Sequence, residues 1–189
     1  MRTGRLEAFS DAVVAILITI MVLELQPPHG TDLDSLRPVV PVFLTYVLSF
    51  VYLAIYWNNH HHMLQVTERI NGRILWANMH LLFWLSLVPF FTGWMGENDF
   101  ASLPTASYGL VLLMAAIAYF ILQTSIVAGQ GPNSTLGAAL GRDVKGKISP
   151  VLYTAAIPLA FVSRWISIAI YVAVALMWLI PDRRIESRV

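Results

Sequence analysis

The chain is a series of long apolar runs separated by short polar segments. The first run covers about residues 6–25 and ends before two consecutive prolines, because proline cannot continue a helix. A second run begins near Arg37 and Pro38 and extends to Trp57, where the polar cluster 58–62 is expected to end it. Apolar runs of about 20 residues have the length of a helix that crosses a bilayer. The pattern therefore predicts membrane-spanning helices.

The remainder of the pattern predicts further spans. Residues 73–94 form a third run, which Pro89 is expected to kink, and residues 102–127 form a fourth. The glycine-rich segment 129–147 has no periodicity and is predicted to be a loop. Residues 148–180 are apolar except for Arg164, which makes this run too long for one span and slightly short for two.

The positions of the basic residues decide between five and six spans. With six spans and a cytoplasmic N-terminus, all but two of the 12 basic residues face the cytoplasm, as the positive-inside rule favours. Five spans would place the basic C-terminal residues outside. We therefore predict an all-α, polytopic membrane protein with six transmembrane helices in one domain, residues 1–189, and with cytoplasmic N- and C-termini. The two basic residues that would face outside are Arg37 and Arg164, and Arg164 would lie at the outer turn of a short hairpin.

Composition excludes several classes of function. With 57% hydrophobic and 12% charged residues, the chain suits a lipid bilayer and not a soluble domain, and a net charge of +1 gives no basic field for nucleic acid. The absence of cysteine excludes disulfides and thiolate metal sites. No nucleophile elbow, zinc-protease motif or phosphate-binding loop is present, so we expect neither an enzyme nor a cofactor.

Charged and polar residues stand at the start of the first helix. Arg5 and Asp11 are separated by about 240° around a helix, so they cannot pair along one face and need partners on other helices. In the predicted topology, the second helix ends at the same membrane depth with Trp57, Asn59, His60 and His61. These side chains form either an interhelical polar network or an ordinary interfacial helix end. Similarly, Ser10 and Asp11 fit a helix N-terminus without further function.

A narrow stripe follows along the first helix. The 4-3-4 spacing of Ala12, Ile16, Thr19 and Leu23 aligns these residues on one face. Thr19 supplies the only hydroxyl between Ala12 and Leu25. The stripe is either the wall of a path through the membrane or a packing surface. Three consecutive histidines, residues 60–62, point about 100° apart on a helix and cannot share one metal ion, so no metal site is predicted.

The opening motif Arg5-x-x-x-Phe9-Ser10-Asp11 resembles the signature of the transmembrane protein 175 family of potassium channels, in its prokaryotic single-repeat branch. Further residues resemble the same family over the first half of the chain: Trp57, Asn59, His60, His61, Asn71, Arg73, Trp76, Asn78, Pro89, Phe90 and Gly96. The resemblance implies a homotetramer in the plasma membrane of a prokaryote, with the first helix around a central pore for potassium ions. It also implies an aliphatic constriction at Ile16 and a selectivity role for Thr19, with Leu23 on the same face.

Two other readings remain open. A secondary ion or solute transporter would be expected to show internal repeats and broken helices, and only Pro89 and Pro158 leave room for the latter. A membrane scaffold without transport is the third possibility. The Thr-Val-Gly-Tyr-Gly carbonyl filter of ordinary potassium channels is absent, so any selectivity has to arise from other groups.

Overall fold

The computed structural model describes residues 3–130 and 144–179, whose regular structure is entirely helical. A short 3₁₀ helix, Asp34–Val39, leads into the second α-helix. The described residues form seven α-helices: α1 Thr3–Leu23, α2 Val40–Gln65, α3 Gly72–Ser86, α4 Val88–Glu97, α5 Ser102–Gln130, α6 Val144–Val162 and α7 Arg164–Leu179. Because α3 and α4 follow each other directly as one bent segment, this described part of the chain contains the six helical segments that the sequence predicts.

The predicted kink and hairpin are both present. The third segment breaks at Leu87, and Pro89 lies in the first turn of α4, where its missing N–H costs no helical hydrogen bond. The last two helices are separated only by Ser163, and Arg164 begins α7. Within residues 3–130 and 144–179, four segments have the length and apolarity to cross a membrane, and the 16-residue α7 is apolar but shorter.

Two predicted boundaries are wrong. The polar cluster 58–62 does not end α2, which continues to Gln65 because these side chains find partners within the bundle and along their own helix. The predicted loop 129–147 is helical at both margins, since α5 includes residues 129–130 and α6 begins at Val144. The rest of that predicted loop, residues 131–143, lies outside the described residues.

The bundle has two parts. Helix α1 packs against α2, α3 and α4, whereas α5 packs mainly against α3, α4, α6 and α7. Helix α1 buries one face, and its buried residues follow a spacing of four, four, three and four: Leu6, Ser10, Val14, Leu17 and Met21. This arrangement leaves α1 at one side of the bundle with its opposite face uncovered by its own chain.

Hydroxyl groups connect the helices inside the apolar core. Ser49 of α2 lies 2.5 Å from the Thr92 hydroxyl of α4 and 2.9 Å from the Tyr108 hydroxyl of α5. The Tyr52 hydroxyl donates a 2.6 Å hydrogen bond to the backbone carbonyl of Tyr171 in α7. Buried hydroxyls are costly without partners, so these bonds fix the relative positions of the four helices.

Helices α2 and α4 meet closely at Gly96. A Cβ atom at this position would lie 2.7 Å from the Cα of Val42, a backbone atom that cannot move aside. Glycine therefore allows α4 to end directly against the backbone of α2.

Candidate functional site

Helix α1 is joined to α2 at its N-terminal end by Asp11. The indole Nε1 of Trp57 donates a 2.9 Å hydrogen bond to Asp11 Oδ1. Hydrogen bonds to a carboxylate are stronger than those between neutral groups. Asp11 therefore has the partner on α2 that the sequence analysis expected.

A buried chain of three side chains continues this connection to α3. Asn78 Nδ2 donates to Ser10 Oγ at 3.0 Å, and Asn78 Oδ1 lies 2.7 Å from His60 Nε2. Because an amide oxygen can only accept, His60 Nε2 carries the proton in this bond. Ser10 in turn donates to the backbone carbonyl of Leu6 at 2.9 Å. Since Ser10, His60 and Asn78 are at most 5% exposed, one asparagine satisfies two buried groups on two neighbouring helices.

His61 faces a carboxylate of α1. Its Nδ1 lies 2.9 Å from Glu7 Oε1, at ion-pair distance but without the geometry of a hydrogen bond. Its Nε2 is 2.8 Å from the side-chain nitrogen of Gln65, and its ring stacks on Trp57 with an interplanar angle of 19°. The second direct contact between α1 and α2 at this end is therefore electrostatic.

Not every predicted member belongs to this network. Arg5 is exposed and has no hydrogen-bond or ion-pair partner among residues 3–130 and 144–179, so the expected bond to α2 is wrong. The amide nitrogen of Asn59 donates to the carbonyl of Ile55 in its own helix, and Phe9 is 49% exposed. An arginine at the start of the helix can reach the interface through its long side chain, which removes the need for a buried partner.

Sequence reasoning missed the roles of Glu7, Gln65 and Asn78. Asn78 matched the family pattern but was not assigned to the network. The sequence did indicate a role for Asn78, because an asparagine in the middle of an apolar helix needs hydrogen-bond partners on a neighbouring helix. Glu7 carried a weaker signal, since a carboxylate in the first turn of a helix is common without any partner.

The predicted stripe of α1 lies on the uncovered face of the helix. Ala12, Ile16, Thr19 and Leu23 are all exposed in the single chain, Ile16 by 55% and Leu23 by 78%. The Thr19 hydroxyl lies 3.0 Å from the Ala15 carbonyl and 2.9 Å from the Ile16 carbonyl, to which it donates. Because a hydroxyl oxygen has two lone pairs, this bonding leaves Thr19 able to accept contacts on the uncovered face.

Within the two described segments, no group of three or more His, Cys, Asp or Glu side chains could hold a metal ion. His60 instead contacts the amide of Asn78, and His61 contacts the carboxylate of Glu7 and the ring of Trp57.

We expect replacement of Asn78 by alanine to lower the free energy of unfolding by about 1–3 kcal/mol, because Ser10 and His60 would lose a buried partner. Denaturant unfolding of the detergent-solubilised protein measures this change. The matched control is Asn98→Ala, since Asn98 is exposed and bonds only to its own helix. Equal unfolding free energies for the two variants would contradict the importance of the Ser10, Asn78 and His60 chain.

The sequence is similar to a family of potassium channels and to individual potassium channels of bacteria. Residues 5–89 match the family described as endosomal/lysosomal potassium channel TMEM175. A potassium channel of Chryseobacterium sp. is 54% identical over 187 residues, covering 99% of this chain and 97% of that protein. A potassium channel of Streptomyces collinus is 29% identical over 187 residues, covering 93% of this chain and 91% of that protein.

A solved structure has the same fold. It is the crystal structure of a lysosomal potassium-selective channel TMEM175 homolog from Chamaesiphon minutus, with a TM-score of 0.80 and 28% identity. The alignment covers 94% of this chain and 96% of that one. The similarity therefore includes α5 to α7, which lie beyond the segment that matches the family pattern.

Proposed function

The chain belongs to the TMEM175 family of potassium channels, and we propose that it conducts K⁺ as a homotetramer with α1 around the central axis. The observation that supports this arrangement most directly is the uncovered face of α1, which carries Ile16 and Thr19 while the opposite face is buried. One chain offers a single narrow stripe of this kind. Several copies are therefore needed to surround an aqueous path.

Each residue of the stripe has a proposed role. Four Ile16 side chains form the narrowest point, where an apolar ring can close the path by excluding water. Four Thr19 hydroxyls, three residues further along, replace part of the water shell of a passing K⁺. Leu23 continues the wall toward the outer end. The exposure of all three and the free lone pairs of Thr19 support this assignment.

The network at the N-terminal end has a structural role in this proposal. The bonds of Asp11 to Trp57 and of Ser10 to Asn78 hold α1 against α2 and α3, away from the ion. The bond between Asn78 and Ser10 is buried, so removing one partner leaves a polar group of the other unsatisfied, whereas the bond between Trp57 and Asp11 is exposed and contributes less. Substitutions here should therefore weaken assembly before they alter ion preference.

The predicted topology gives the outer side a negative field. With both termini cytoplasmic in a multi-pass plasma-membrane protein, two described basic residues, Arg37 and Arg164, face outside. Five acidic residues face the same side: Glu24, Asp32, Asp34, Glu97 and Asp99. Arg37 is already paired with Asp34 at 3.1 Å. An excess of carboxylates on the outer side raises the local cation concentration there, which favours the entry of cations into the proposed path.

Single-channel recording of the purified protein under bi-ionic K⁺ and Na⁺ conditions tests the function. We expect unitary currents whose reversal potential shows a preference for K⁺. Coupled flux without unitary currents would instead indicate a secondary transporter, and the absence of both would indicate a scaffold.

The assembly has its own test. We expect light scattering in mild detergent to give a protein mass four times the 21.1 kDa of one chain. A mass of one or two chains would contradict the proposed tetramer.

A further inference from the structure

A cavity lies between α2, α5, α6 and α7, away from the uncovered face of α1. Its volume is about 50 Å³, and aromatic rings form much of its wall: Tyr56, Tyr119, Tyr153 and Trp178. Phe120, which is 56% exposed, stands at its edge. The cavity therefore reaches an apolar part of the outer surface of the bundle.

Several polar groups at this cavity have unused hydrogen-bonding capacity. Gln123 is 5% exposed and has no hydrogen-bond partner among the described residues, and the same holds for the hydroxyl of Tyr56. Asn59 donates through Nδ2 to its own helix, which leaves Oδ1 free to accept. The amide of Gln123 is not among the fully enclosed atoms of the described residues that lack a partner, so it opens into the cavity, where a molecule with both donor and acceptor atoms would satisfy it.

Charge and size restrict the occupant. The described side chains that line the cavity include hydroxyls, amides, rings and alkyl groups but no acidic or basic group, which disfavours a phosphate or an ammonium. A volume of about 50 Å³ is that of about three to five waters at 10–15 Å³ each, or of a small head group such as a hydroxyl with its first carbons.

We propose that this cavity binds the hydroxyl head of a neutral amphiphile, a primary alcohol, whose alkyl chain leaves past Phe120 into the bilayer. A hydroxyl is both donor and acceptor, so it can bond to the amide of Gln123 and to Asn59 Oδ1 together. The aromatic wall then contacts the first carbons, and the exposed Phe120 contacts the rest of the chain. Water could satisfy the amide but would not use the apolar edge.

Photolabelling tests this site on the full-length protein in lipid vesicles. The probe is a 1-octanol derivative with a diazirine in its alkyl chain, and labelled residues are mapped by mass spectrometry. We expect label on residues at the cavity, among them Tyr119 and Phe120, and competition by excess 1-octanol. 1-Chlorooctane, of similar length but without the hydroxyl, should compete poorly.

Two variants make the assignment specific. Gln123→Leu should reduce labelling at the cavity about tenfold, as expected for the loss of one strong neutral hydrogen bond. Ala116→Leu should reduce it by filling the space, because Ala116 lines the cavity. The matched control is Thr124→Val, since Thr124 is the next residue of α5, is exposed and bonds only to its own helix.

The result that would overturn the proposal is label spread evenly over the lipid-facing surface, or label at the cavity that neither variant changes. A cavity that holds only water gives one of these results. Unfolding temperatures of the variants in detergent show whether each is folded. Because labelling does not require ion flow, its failure would leave the channel recordings unaffected.

Discussion

Replacement of Ile16 by asparagine should raise the single-channel K⁺ conductance. If four Ile16 side chains form an apolar constriction, an amide at this position hydrates the narrowest point and lowers the barrier to the ion. Each 1.4 kcal/mol removed from that barrier increases the rate of passage about tenfold. Recording of unitary currents in symmetric K⁺ solutions measures the change directly.

The same substitution at Ile18 is the matched control. Ile18 is partly buried and packs against the core of its own chain, two residues from the exposed Ile16. Ile18→Asn should therefore lower the unfolding temperature without increasing the conductance, because it places an amide inside the bundle. If Ile16→Asn instead destabilises the protein as Ile18→Asn does, Ile16 is a packing residue and not a constriction.

Hydropathy predicts the helices of this protein well because the backbone N–H and C=O groups of each span have to hydrogen-bond to each other within the span. A segment in hydrocarbon has no water to bond, so an apolar run of sufficient length becomes a helix, whatever its neighbours. The break before Pro89 is equally local, since it follows from a missing N–H. Helix ends are different. Helix α2 passes through three histidines to Gln65 because His60 meets Asn78 on another helix, a contact that no local pattern contains.

The polar contacts of α1 with α2 and α3 also combine a part that the local sequence predicts with a part that depends on neighbouring helices. The need of Asp11 for a partner on another helix could be predicted, because a carboxylate close to hydrocarbon is unfavourable when unpaired. The partner itself depended on the topology, which placed Trp57 at the same depth. The same reasoning gave a wrong prediction for Arg5, because the arginine side chain is long enough to reach solvent and needs no partner on another helix. Periodicity did predict the face of α1 that carries Thr19, since helical spacing alone decides which residues lie together.

Replacement of Thr19 by alanine should reduce the preference for K⁺ over Na⁺ while the oligomer remains intact. The hydroxyl lies on the uncovered face and donates only to its own helix, so its removal breaks no contact with another helix. If the four oxygens stabilise K⁺ by 1.4 kcal/mol more than Na⁺, the permeability ratio falls about tenfold. The shift of the reversal potential under bi-ionic conditions measures it.

The conservative variant separates an oxygen ligand from a packing residue at this position. Thr19→Ser keeps the hydroxyl and loses only a methyl group, so it should retain most of the K⁺ preference. Thr19→Ala and Thr19→Ser both make the side chain smaller, and a role in packing would affect the two variants in the same direction. Reversal potentials that stay at the wild-type value in Thr19→Ala, with a normal tetramer mass, would show that Thr19 does not contact the ion. In that case the preference for K⁺ would have to arise from other groups along the path.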